Sequence, residues 1–151
     1  MPAKIEQREE WARIHLSGEL DIDDLTALPD DITAAATSGQ KHFIFDLMEF
    51  RDCTADARRS LVELQRLVGE HGGRTAWISN RPHARGLALW ACRFAEDGQA
   101  KVVSTEAQIK PWLQSRAQRL PSAVDGVTKT LQEIRERMRN LDPRASEAKK
   151  P

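Results

Sequence analysis

A chain of 151 residues with 40% hydrophobic content can hold one ordinary domain and an appendage, and is too short for two domains. Its 23 basic and 23 acidic residues balance and are interspersed, so no basic face or stripe marks a direct nucleic-acid interface. The longest apolar run, residues 86–92, is far below the ~20 residues that cross a bilayer, and the N-terminus lacks the apolar core of a signal peptide. Membrane insertion is therefore not expected. Two cysteines, Cys53 and Cys92, suit a reducing compartment better than a disulfide framework, which points to a cytoplasmic location.

In chain order, two short strands are predicted around Lys4 to Arg8 and Ala12 to Leu16, joined by a turn near Glu9 and Glu10. Leu25, Leu28, Ile32 and Ala35 recur at spacings of three and four, with Asp23 and Asp24 before them and Gly39 after, which predicts a helix with Pro29 in its first turns. Phe43, Ile44, Phe45 and Leu47 form a near-continuous apolar run, the signature of a strand buried on both faces between parallel neighbours. A short acidic turn through Arg51, Asp52, Cys53 and Thr54 leads into a second helix. That helix carries Ala57, Leu61, Leu64 and Val68 on one stripe, with Arg58, Arg59, Glu63 and Arg66 elsewhere, and stops at Gly72-Gly73.

The next strand runs from Thr75 to Ile78. Pro82 then opens a third helix expected to turn Leu87, Trp90, Ala91 and Phe94 toward the sheet, with Gly98 ending it. A short strand around Lys101 to Val103 and a last helix from about Thr105 to Arg116, with Ile109, Trp112 and Leu113, complete an α/β layer of about five strands in a mixed sheet and four helices. This domain is expected to occupy residues 1–117.

An amphipathic C-terminal helix is expected within residues 118–141, from Ser122 to Leu141 after the Pro121 break. Its apolar positions, Val124, Val127, Leu131, Ile134, Met138 and Leu141, repeat as 3, 4, 3, 4, 3, a heptad seam narrower than an ordinary surface stripe. Under three heptads are marginal in isolation, so the helix must dock on its own domain, on a second copy in a homodimer, or on another protein. Residues 142–151 hold no large apolar side chain and are expected to be a disordered tail.

Catalysis finds little support. His15, His42, His71 and His83 show no metal-ligand spacing with one another or with either cysteine, no recognised nucleophile motif is present, and no Gly-rich loop could cradle a phosphate. We expect no catalytic residue, no cofactor and no metal. Asp46, Asp52 and Asp56 could gather at the end of the sheet, where open α/β folds bind ligands, but such carboxylates are common without any metal.

The stretch from His42 to Leu61, taken with Ile14-His15-Leu16-Ser17-Gly18-Glu19-Leu20-Asp21 before it and Gly72-Gly73-Arg74-Thr75-Ala76-Trp77-Ile78-Ser79-Asn80 after it, resembles the STAS domain. That is the fold of bacterial anti-sigma-factor antagonists and stressosome subunits, and the likeness covers roughly residues 3 to 115. The resemblance implies a non-enzymatic signalling module in transcription regulation that binds a protein partner, either an anti-sigma-type ATPase resembling histidine kinases or another STAS protein. It also implies a switch at a serine or threonine in an Asp-Ser-Ser/Thr-Gly turn, which a partner kinase phosphorylates.

This chain departs from that turn. Without gaps, Thr54 takes the place of the motif's aspartate, Asp56 that of the acceptor and Ala57 that of the glycine, leaving no hydroxyl to phosphorylate. Sliding the turn by two residues instead makes Thr54 the acceptor, at the expense of compensating shifts on both sides. The ungapped register favours Asp56, whose permanent charge imitates a phosphate only in part. Thr54 is equally a natural helix cap, and Asp56 suits the first-turn dipole. The contact surface implied comprises Asp23, Asp24, Asp52, Thr54, Asp56, Arg58 and Arg59. Two other roles stay open: a stressosome-like scaffold assembled through the C-terminal helix, and an accessory subunit of an ABC-type lipid transporter.

Overall fold

Side-chain alternation on the strands sorts apolar residues to one face of a central sheet and mixed residues to the other. The computed structural model describes residues 2–114. In chain order the elements are β1 (Ala3–Gln7), β2 (Ala12–Leu16), β3 (Gly18–Leu20), α1 (Leu28–Thr37), β4 (His42–Asp46), β5 (Phe50–Cys53), α2 (Ala55–Glu70), β6 (Arg74–Ile78), α3 (Pro82–Phe94), β7 (Lys101–Val103) and helical residues 109–114, here α4. The main sheet has the order β1-β2-β4-β6-β7, antiparallel between β1 and β2 and parallel elsewhere. With parallel neighbours on both sides, β4 buries Phe43, Ile44 and Phe45 completely, as its unbroken apolar run predicts.

Ala12, Ile14 and Leu16 of β2, Phe43 and Phe45 of β4 and Trp77 of β6 point into one core with Ile32 of α1, Leu61 and Val68 of α2 and Ala88 and Ala91 of α3. Ile44, Ala76, Ile78 and Val103 face the other way, where Ile109 and Trp112 of α4 cover them. The period-2 alternation on β2 leaves Arg13 and His15 on that second face.

The main sheet has the five strands expected, and β3 and β5 add a separate two-stranded parallel sheet that the sequence pattern does not predict. Three sequence expectations need correction. The first helix is split: Ile22–Leu25 is a 3₁₀ turn capped by Asp21, and α1 begins only at Leu28. On α3, Ala84, Leu87, Ala88 and Ala91 form the buried stripe, which leaves Trp90 partly covered and Phe94 52% exposed. Small alanines let the helix approach closely, and that stripe is rotated from the one bulky residues alone would define. Finally, Thr105 caps a 3₁₀ turn, Glu106–Gln108, that precedes α4. The domain limit at 117, the helix predicted from Ser122 to Leu141 with its seam Val124, Val127, Leu131, Ile134, Met138 and Leu141, and the tail 142–151 lie outside the described residues.

Candidate functional site

β3 follows directly on β2, and β5 follows on β4 after the Leu47–Glu49 connection, so their parallel pairing brings the starts of two helical segments together. The Thr54 amide donates to the Leu20 carbonyl at 3.0 Å, fixing the chain as it enters α2. Thr54 is the N-cap of that helix: its Oγ1 accepts from the Ala57 amide at 3.2 Å. The same hydroxyl donates to Asp21 Oδ1 at 3.3 Å. Asp21 caps the other segment, accepting from the Ile22 amide at 2.8 Å, while its own amide donates to Asp24 Oδ2 at 2.8 Å. One carboxylate therefore serves two helix starts.

Asp56 lies in the first turn of α2, exposed, with its carboxylate 3.3 Å from the Arg59 guanidinium. At that exposure the pair adds little to stability and leaves the charge in solvent. Asp52 accepts from the Cys53 amide at 2.8 Å and stands 3.5 Å from His83 Nε2 at the start of α3. Arg58 lays its guanidinium over the Trp90 ring at 4.9 Å, and Trp90 in turn packs on Phe94 at 4.7 Å. The His83 ring stacks on Phe50 at 6.1 Å.

Between β5, the start of α2 and α3 these side chains enclose an open groove of about 380 Å³. Phe50, Leu87 and Trp90 give it an apolar surface, and Asp52, Arg58 and His83 supply its charged and polar atoms. Cys53 also lines it. Burial pushes the Cys53 thiol up, Asp52 adds to the effect and Arg58 opposes it, so the sulfur is a poor nucleophile at neutral pH.

A second polar cluster occupies the other sheet face. Arg13 Nε donates to Asp46 Oδ2 at 2.9 Å, and its guanidinium also forks onto both oxygens of Glu106. His15 Nδ1 lies 3.4 Å from Asp46 Oδ2, and its Nε2 lies 3.2 Å from Glu6 Oε2. Desolvation opposes the Arg13 charge, but the bonds to Glu106 and Asp46 outweigh it and hold the guanidinium above its ordinary range. Asp46 also accepts from the Met48 amide at 2.9 Å. Asp46, Asp52 and Asp56 each have a different partner, and among the described residues no three His, Cys, Asp or Glu side chains are grouped to hold a metal ion.

The fold finds clear counterparts among solved structures. The Bacillus cell-fate determinant SpoIIAA in its phosphorylated form superposes with a TM-score of 0.55 at 20% identity, over 72% of this chain and 96% of that one. The anti-sigma factor antagonist SpoIIAA in its unphosphorylated form gives 0.55 at 18% identity, over 74% and 97%. An anti-sigma-factor antagonist (STAS) domain protein from Planctomyces limnophilus gives 0.56 at 15% identity, over 74% and 96%. The described domain has a STAS-type fold. No family model and no curated protein matches the sequence.

Within this fold, Thr54, Asp56, Arg58 and Arg59 share the first turns of α2, and Asp52 is the next-to-last residue of the strand that leads there. Asp23 and Asp24 sit in the 3₁₀ turn that Asp21 joins to Thr54. Sequence reasoning omitted Asp21, His83, Trp90 and Gly86 from the site. Asp21 carries a detectable signal, since Asp21 and Asp24 have the spacing of a reciprocal cap. The groove residues carry none, because three separate elements supply them.

Proposed function

We propose that this protein is a non-enzymatic signalling module that binds a regulatory protein through the β5–α2 junction and the first half of α2. The partner's chemistry would match an anti-sigma-type ATPase resembling histidine kinases or another STAS protein. The observation that carries this reading is the STAS-type fold combined with a charged, exposed surface at that junction, Asp52, Asp56, Arg58 and Arg59. The same reading makes the interaction independent of serine phosphorylation. Asp56 holds a fixed charge, and the Thr54 hydroxyl is engaged both as acceptor from Ala57 and as donor to Asp21.

Affinity capture with the full chain, followed by mass spectrometry, tests it. An ATPase or STAS protein retained in the presence of ATP, and released by Asp56→Arg with Arg58→Glu, supports the reading. Phosphate on Thr54 in protein from native cells, or capture unaffected by the double variant, defeats it. The heptad spacing from Val124 to Leu141 favours a second reading, a scaffold or homodimer assembled through the C-terminal helix. Leu131→Asp in the full chain would then halve the mass by light scattering.

A further inference from the structure

Gly86 stands in the fifth position of α3, where glycine is unfavourable by about 1 kcal/mol relative to alanine. Nothing in the backbone requires it. Its φ is not positive, and a Cβ built there would meet no atom within 4 Å. Glycine is the residue of choice where the chain turns left-handed or where another group approaches the backbone closely, and neither applies here. What Gly86 does border is the groove between β5, α2 and α3, so the missing side chain leaves that groove open. Arg58 sits exposed on the groove with its guanidinium over Trp90, and among the described residues that guanidinium makes neither a hydrogen bond nor an ion pair. The Asp52 carboxylate on the opposite side is drawn to His83 and to the Cys53 amide.

We propose that this groove binds a small amphipathic anion, a carboxylate carrying a short aliphatic or aromatic tail. The tail would lie on Phe50, Leu87 and Trp90, and the carboxylate would meet Arg58. At about 380 Å³ the groove falls within the range typical of small-molecule sites, which pair an apolar lining with a few placed polar groups. Arg58 is already positioned by the Trp90 face, so little side-chain freedom is lost when it engages an anion. The assignment goes beyond the protein-partner reading: it shares Arg58 and Asp52 with that surface but concerns the cleft they border and a ligand of a different class.

The test is titration of the full chain with octanoate and, separately, with octanol, read by heteronuclear NMR. Octanoate should saturate the shifts of Gly86, Leu87 and Trp90 with a dissociation constant below about 1 mM. Gly86→Leu should abolish binding by filling the groove from the helix, while raising the melting temperature through better helix propensity. Arg58→Gln should weaken octanoate roughly tenfold and leave octanol unchanged, a charge-specific effect that simple loss of structure would not give. Octanoate that fails to saturate, that still binds the Gly86→Leu variant, or that loses no more than octanol on Arg58→Gln overturns the proposal. So does a groove in which Gly86→Leu blocks capture of a protein partner while octanoate has no effect, since that would make it a peptide anchor.

Discussion

Thr54 and Asp21 lie 33 positions apart, yet the hydroxyl of one donates to the carboxylate of the other at 3.3 Å, joining the caps of two helical segments. The link is local chemistry made long-range by the β3–β5 pairing. Thr54→Ala removes the α2 cap and the bond to Asp21 together, and should destabilise the domain by about 1 kcal/mol, whereas Thr54→Ser keeps both oxygen functions and should cost less. Urea unfolding of both variants, with Asp21→Ala completing a double-mutant cycle, measures it. Additive costs would mean that the two caps act separately.

The Trp77 indole N–H donates to Gln65 Oε1 at 3.1 Å beneath α2, and Gln65 Nε2 donates to Asp97 Oδ2 at 3.2 Å. Gln65 is 1% exposed and Trp77 fully buried. Gln65→Leu preserves bulk but orphans the indole donor, so it should cost about 1–3 kcal/mol, the penalty of an unmet buried donor. A loss below experimental error in chemical denaturation would show that the ring reorients to another acceptor.

How much was readable in the chain follows from element length and from which interactions are local. The apolar run of β4, the stripe of α2 and the Pro82 start of α3 each rest on several consecutive residues, and each stands where expected. β3 and β5, at three and four residues, are too short to show a period and exist because they pair with each other. The cap role of Thr54 and the first-turn place of Asp56 were legible because capping is local. The groove was not, since Phe50, Arg58 and Trp90 meet only through packing of β5, α2 and α3. Arg13 and Asp46 likewise depend on the parallel register of β2 on β4, which neither strand encodes alone.

That register sets up the Arg13 prediction. Both side chains of the Arg13–Asp46 pair are 11% exposed, so removing the cation leaves a poorly solvated carboxylate. Full burial would cost 3–5 kcal/mol on breaking such a pair, and the remaining Met48 amide and His15 contacts reduce this to about 2 kcal/mol for Arg13→Met. Glu106 is 63% exposed, and Glu106→Gln should change stability by less than about 1 kcal/mol. Thermal melts of the two variants separate these magnitudes. Equal losses would place the energy in the fork to Glu106 instead.

Burial raises both thiols: at Cys53 the nearby Asp52 adds to it, and at Cys92 a bond from Gln65 opposes it while Asp97 reinforces it. A raised folded value favours the neutral thiol in the native state. The stabilisation is fully present below the unfolded value of about 8.5 and is lost as pH rises through the folded values. The rate of disulfide exchange with a chromogenic reagent should therefore rise with a midpoint more alkaline than about 8.5 for both cysteines. A midpoint at or below that of a free thiol peptide would contradict the environment described.

The Gly72-Gly73 pair ends α2 for two different reasons, and substitution should separate them. The Gly72 amide donates to the Gly69 carbonyl at 3.0 Å and the Gly73 amide to the Val68 carbonyl at 2.9 Å, the paired bonds of a Schellman stop. Gly72 has φ +76°, so Gly72→Ala strains the backbone, at about 1–2 kcal/mol. Gly73 has no such φ, but a Cβ there would stand 2.9 Å from Val68 Cγ1, 3.1 Å from the Val68 carbonyl oxygen and 3.3 Å from Phe43 Cδ2. Val68 and Phe43 are fully buried, so neither side chain can retreat without disturbing the core, and Gly73→Ala should cost about 1–3 kcal/mol by overpacking. Val68→Ala in the Gly73→Ala background distinguishes the two mechanisms. It should recover part of the Gly73→Ala loss by removing Cγ1, and should recover nothing in Gly72→Ala, where the strain lies in the main chain.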